Sequence, residues 1–186
     1  MEGVRKRPPD ARMFEITPES GSLPLCARCA RHQRTCCQDT DVFVTWGDID
    51  RIESHTGRDD FHEYRAPVNP DYLAQDDDPT WVRYSIRPDG TRRVLLQRSG
   101  GDCLFLGMQG CELPPDVRPL VCRLYPYDFD EAGIAEAPAQ GCPVQLLLPG
   151  RQLMEEMDMD LAEARQWHRQ LYEEMKLKEP VPCALV

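Results

Sequence analysis

The 186-residue sequence predicts an α+β fold: a small, irregular, metal-stapled domain with a β-hairpin-centred sheet, short helices and a long C-terminal helix. Three observations predict it. Two stretches, "WVRYSIR" and "RRVLLQR", flank the turn signal "PDGT" at 88–91, with alternation in the first. Leu153, Met157, Leu161, Ala164, His168, Leu171 and Met175 recur at steps of three and four, the period of an amphipathic helix over about 151–177. Between these, residues 103–143 are crowded with Gly and Pro and carry no long period, so a disulfide, a metal or a partner has to hold them.

Taken in order, residues 1–22 are rich in Pro, Gly and charge and read as a flexible arm. "DVFVTW" reads as a short strand. Thr45 and Asp48 stand at capping-box spacing, so a helix begins near Trp46, carries Ile49 and Ile52 on one face to about Ser54, and stops at Gly57. A short helix is expected over Asp59–Arg65, ended by Pro67 and Pro70, and "QDDDP" is a turn or loop. The predicted organisation is an arm (1–22), a cysteine-cluster domain (23–149), a C-terminal amphipathic helix packed on it (150–178) and a Pro-rich tail (179–186).

Acidic residues outnumber basic ones by 32 to 22, a net charge of −10, which argues against nucleic acid and anionic membrane as partners. The longest aliphatic run is Leu146–Leu148, far short of the roughly 18 residues of a membrane span. No apolar run follows the N-terminal "RKR", so no export signal is recognised and the cytoplasm is the expected compartment.

Nine cysteines are then the main fact. Eight fall in two groups of four: Cys26-x2-Cys29-x6-Cys36-Cys37, then 65 residues, then Cys103-x7-Cys111-x10-Cys122-x19-Cys142. Cys183 stands alone in the tail. Unconnected core thiols do not explain eight cysteines amid so little regular structure. Disulfides fit poorly with a reducing compartment. Metal binding fits best. Thiolate-only sites suit zinc, iron–sulfur clusters or copper(I), and disfavour magnesium and calcium. Cys26 and Cys29 have the spacing that lets two thiolates reach one ion from a tight turn. Cys36 and Cys37 have Cα atoms about 3.8 Å apart, and in an extended chain their side chains point to opposite faces. That favours two neighbouring centres or one multinuclear centre. Four thiolates leave a local charge of −2 on zinc or on a [4Fe–4S]²⁺ cluster, which nearby cations would offset. Arg28, Arg31, Arg34 and His32 lie in the first group, and Arg118 and Arg123 flank Cys122 in the second.

On these residues the chain resembles the YkgJ-type cysteine-cluster family, described as a zinc- or iron-chelating domain. The resemblance is carried by "CARCARHQRTCC", "VFVTWGDIDRI", "CLFLGMQGCELPPDVRPLVCRLYPY" and "GCP", over residues 26–143. The family pattern is a CxxC and a CC, a strand, a helix opened by Thr-x-x-Asp, then Cys-x-Phe/Leu-Leu, a further Cys, Arg-Pro, Cys and Tyr/Phe-Pro. The six-residue gap before Cys36 is longer than in compact members. The resemblance implies a metal centre held by Cys26, Cys29, Cys36, Cys37, Cys103, Cys111, Cys122 and Cys142. A flagellin lysine methylase, a larger relative, has a similar cysteine set, and this favours an iron–sulfur cluster of the 4Fe-4S type over Zn²⁺.

Arg118 reads either as part of a turn or as a donor to thiolate sulfur and loop carbonyls, and Tyr125 as a cover over the centre. His168 reads as a satisfied core histidine, His32 as a surface or outer residue. No GxGxxG, P-loop, GxSxG or HExxH is present, so whether the chain is an enzyme stays open. The function expected is metal binding, with a metal ion or cluster as ligand and any protein partner unnamed. Two alternatives stand beside it: an iron–sulfur redox enzyme or enzyme accessory subunit, and a metal storage or delivery protein.

Overall fold

A computed structural model describes residues 23–32, 34–69, 73, 78–138 and 142–177. The expected arm (1–22) and the expected tail (179–186), with Cys183, lie outside these. The fold is α+β. Among the described residues it has seven α-helices and three two-stranded antiparallel sheets. The helices are α1 (Leu25–His32), α2 (Cys36–Asp39), α3 (Trp46–Thr56), α4 (Pro79–Ser85), α5 (Leu120–Leu124), α6 (Leu153–Glu156) and α7 (Leu161–Met175). The sheets pair β1 (His62–Arg65) with β2 (Arg92–Leu95), β3 (Leu106–Gly107) with β4 (Gly110–Cys111), and β5 (Tyr127–Asp130) with β6 (Gly133–Pro138). No helix among the described residues is long and apolar enough to cross a membrane.

Helix α3 forms as its sequence dictates. The Thr45 hydroxyl accepts the Asp48 N–H at 2.9 Å and the Asp48 carboxylate accepts the Thr45 N–H at 2.9 Å, closing both halves of the capping box. Ile49 and Ile52 are buried. Gly57 ends the helix at φ 67, the left-handed conformation that costs a side chain most. The strand expected at "DVFVTW" is a single bridge, Phe43 to Val94, extended by Val44 N–H to Arg93 O at 3.2 Å and Leu95 N–H to Val42 O at 2.9 Å. This segment flanks β2 on the side opposite β1, which makes β2 the centre of the sheet.

Three expectations are corrected. The hairpin around "PDGT" does not form, because its first arm is α4. Asp78 caps that helix, accepting the Trp81 N–H at 2.8 Å, and Pro79 occupies the first turn, where its missing N–H costs nothing. Trp81 and Ser85, four apart, turn inward together. The turn itself survives, with Arg87 N–H to Thr91 O at 2.8 Å. The helix expected at 59–65 is β1, because its backbone groups pair with β2 in the register His62 to Leu95. The single long C-terminal helix is two helices. Asp158 takes φ 52, and Asp160 restarts the chain as the α7 cap, accepting from Ala162 and Glu163 N–H groups.

The core lies in three apolar clusters. One gathers Val42, Val44, Ile49, Ile52, Phe61, Leu95 and Phe105. A second sets α7 (Ala164, Leu171, Tyr172, Met175) against α5 (Leu120, Leu124), Phe43 and Trp81. His168 faces this side, with Nε2 2.7 Å from Asp130 O, as a satisfied core histidine does. The third is small: Leu25, Cys29, Leu146 and Leu153 are its buried members. Helix α1 contributes Leu25 and Cys29 to it.

Candidate metal centre

Six separate segments deliver the eight cysteines. Cys26 and Cys29 sit one turn apart on α1, not on the tight turn expected, and residues three apart on a helix share a face. Cys29 is buried in the small third cluster, with Cys142 and Met157 packed against it. The Cys26 sulfur lies 3.9 Å from the Met157 sulfur. Cys36 and Cys37 open α2, after Thr35. Their backbone is helical rather than extended, so the side chains diverge by about 100° instead of opposing.

Helix α2 is tied directly to the second cysteine group. Cys103 N–H donates to Cys37 O at 2.7 Å, and Gln38 Nε2 donates to Asp102 Oδ1 at 2.8 Å. Gln38 Oε1 meanwhile accepts the Thr35 N–H at 2.9 Å, which fixes the start of α2. Cys111 is on β4, opposite Leu106. Its hairpin turns at Met108 and Gln109, and Gly110 opens β4 at φ 105, a conformation that favours glycine. Cys122 is on α5. Cys103 is buried in the first core cluster, with Cys37, Cys111 and Cys122 packed on it.

The placement of α5 depends on Asp48. Besides its cap bond, this fully buried carboxylate accepts the Leu120 N–H at 3.0 Å and Arg51 Nη2 at 2.6 Å. One side chain thus starts α3 and fixes the first residue of the helix bearing Cys122. Arg51 continues to Glu174 on α7 at 2.7 Å. Burial pushes Glu174 up, but hydrogen bonds from Arg51, Thr45 and Gln170 outweigh it and leave the carboxyl below its usual range. For Asp48 burial wins, and its carboxyl is raised.

None of the eight described cysteines is in a disulfide. Burial pushes the Cys103 thiol up to about 11; the Cys26 thiol, although exposed on its outer side, is pushed up as far by the protein crowded against its sulfur and then by the charges of Cys37 and Cys142. Cys122 is raised well above the usual thiol value by burial and then by the charges of Cys37, Cys103 and Cys111. Cys111 and Cys142 are also raised, chiefly by burial. The adjacent Cys36 and Cys37 thiols perturb each other in opposite senses, so Cys36 is raised and Cys37 is lowered to about 7. Arg118 assists at Cys37. Each thiolate therefore opposes ionisation of its neighbours.

The arginines divide sharply. Arg118 lies near the sulfurs: its charge favours ionisation of Cys26, Cys37 and Cys111, and its Nε donates to Leu113 O at 2.9 Å. The Leu113 bond fits the reading of Arg118 as part of a turn. Arg123 braces that turn, donating to Arg118 O at 2.7 Å and to Asp116 O. Arg28 has a different role from the one expected of it, since it is buried in an ion pair with Glu156. Arg98, which sequence reasoning passed over, donates to Leu104 O at 2.7 Å and Leu106 O at 2.9 Å and so shapes the loop after Cys103. Burial, and then the neighbouring Cys142 thiol, raise the Tyr125 hydroxyl above its usual range. His32 is exposed.

Among the described residues no three His, Cys, Asp or Glu side chains close on one point as a bound ion requires. The thiols are gathered, not converged. No family model, curated protein or solved structure matches this chain.

Proposed function

We propose that the chain is a metal-binding protein that uses its eight clustered cysteines to chelate an iron–sulfur cluster or zinc, as the resemblance to YkgJ-type domains implies. The observation that supports this reading is that six segments deliver eight unbridged thiols, four of them on one core cluster and two on another. Thiols raised by burial and by one another gain a reason to ionise only if a cation joins them. A metal would also cross-link those segments. Cys26, Cys29, Cys36, Cys37, Cys103, Cys111, Cys122 and Cys142 would be the ligands. Arg118 would offset thiolate charge, and Tyr125 would hydrogen-bond the Cys142 sulfur. A cluster or ion bound there supplies cross-linking, and a cluster supplies electron transfer as well.

One observation favours a second reading. Cys26 and Cys36 are exposed, whereas Cys29 and Cys103 are buried, so one edge of the group meets solvent. A redox centre or a delivery protein needs such an edge. The test is chelation. A strong chelator under anaerobic conditions is expected to unfold α1 and α5 and to lower the melting temperature by more than 10 °C, on the scale of about 4 °C or less per kcal/mol for a chain of this size. Unchanged melting after removal of all metal would sink the structural role.

A further inference from the structure

We infer that α1 is a strap that opens as a unit while the rest of the chain stays folded, and that the Glu156 carboxylate is the pin that holds it shut. Opening uncovers Cys29, which is buried in the closed form, on a helix whose Cys26 is already exposed. The contacts that define the strap belong to the chain itself and do not depend on a bound metal.

Helix α1 is anchored on one short stretch of chain. In the third apolar cluster its Leu25 and Cys29 meet Leu146 and Leu153, with Cys142, Leu147 and Met157 packed around them, and all of these partners fall between residues 142 and 157. The Cys26 sulfur lies against Met157 of the same stretch. Among the described residues this cluster has four buried members, where the clusters that hold α3 and α7 have ten and nine. Helix α1 also passes beside β4, which carries Cys111. Outside the helix its backbone bonds, among the described residues, run to Pro24 O at its own start, from Ala27 N–H at 3.0 Å and Arg28 N–H at 3.1 Å. Helix α2 differs, since Cys103 N–H donates across to Cys37 O. A short helix with few buried partners, all from one segment, opens locally at a lower free energy than the core beside it.

Glu156 has the position of a pin. One of its carboxylate oxygens accepts from Arg28 Nη2 of α1, and the other accepts the Leu148 N–H at 2.5 Å. The same carboxylate therefore closes the stretch from 148 to 156 and fastens α1 to it. The two side chains of the pair are 3% and 4% exposed, so both charges are out of water. Removing one partner there leaves the other charge buried and uncompensated, a far larger loss than at a surface pair. The pair has to break when α1 lifts, because its members lie 128 residues apart on different segments. A force for opening is present as well. Arg28 Nε is buried with no acceptor among the described residues, and lifting α1 gives it water.

The experiment is hydrogen exchange on the full chain, read by mass spectrometry, with iodoacetamide alkylation of Cys29 followed on the same samples. In the wild type the amides of Arg28–His32 are expected to exchange faster than those of α3 and α7, and Cys29 to react faster than global unfolding allows. Glu156→Gln should speed both α1 exchange and Cys29 alkylation by at least about tenfold, as an uncompensated buried charge does, and leave α3 and α7 unchanged. Arg28→Met added to Glu156→Gln should open α1 no further than the more severe single variant, because the two residues act as one pair. Leu25→Ala, which keeps the pair, should also loosen α1 alone. Exchange of α1 in step with α3 and α7, in the wild type or in Leu25→Ala, would overturn the strap. Unchanged α1 exchange in Glu156→Gln, or equal acceleration of every helix, would overturn the pin.

Discussion

Cys122→Ser is expected to lose metal and stability together. Cys122 faces the charges of Cys37, Cys103 and Cys111. Removing one thiolate of four should weaken binding by more than the roughly 10–100-fold that loss of an outer hydrogen-bond partner costs. Because metal binds only the folded chain, each 100-fold in affinity converts to about 2.7 kcal/mol of stability under saturating metal. Cys122→Ala separates this from packing. If Cys122 merely fills space, alanine should cost about 1 kcal/mol, the centre of the distribution for single substitutions, with metal content unchanged. Metal analysis and urea unfolding of both variants decide the matter. Full metal content with near-normal stability in both would remove Cys122 from the ligands.

Asp48→Ala is the second large effect, and it acts through position. The substitution leaves the N–H groups of Thr45 and Leu120 buried without their acceptor and strips one partner from Arg51. Each unsatisfied buried N–H costs about 1–3 kcal/mol, so a loss of about 3 kcal/mol is expected. Asp48→Asn keeps the shape but presents an amide N–H₂ to one of those donors, and should fall between wild type and alanine. The consequence beyond stability is specific. Asp48 holds Leu120, the first residue of α5, and α5 carries Cys122. Metal affinity should therefore drop about tenfold, the lower end of the range for an outer partner, although Asp48 is not among the proposed ligands. Urea unfolding together with a competitive zinc titration measures both. A loss under 1 kcal/mol, or unchanged affinity, would contradict the role given to this carboxylate.

Helix α3 was legible because every determinant is local: Thr45 and Asp48 at the cap, Ile49 and Ile52 inward, Gly57 at the end. The failures are non-local or ambiguous. "WVRYSIR" alternates as a strand does, yet Trp81 and Ser85 also satisfy a helical step, and the Asp78-Pro79 start was the signal that separates the two. His62–Arg65 pairs with a strand about thirty residues away in the chain, a partner that local propensity does not identify. The break at Asp158 was foreshadowed by "MDMD", where an aspartate accepts the left-handed conformation and the next caps α7. At the site, the cysteines were visible from count and spacing, but their neighbours were not: topology brings Cys37 to Cys103 and packs Cys142 on the cluster that holds Cys29. The same holds for Arg28, whose partner Glu156 lies 128 residues on.

The most direct test of the account is the metal itself. Protein purified without oxygen should be analysed for zinc, iron and acid-labile sulfide, with a visible spectrum on the same sample. Stoichiometric metal per chain is expected, either brown with iron and matching sulfide or colourless with zinc. A folded, metal-free chain whose eight clustered thiols all react with an alkylating agent would contradict it.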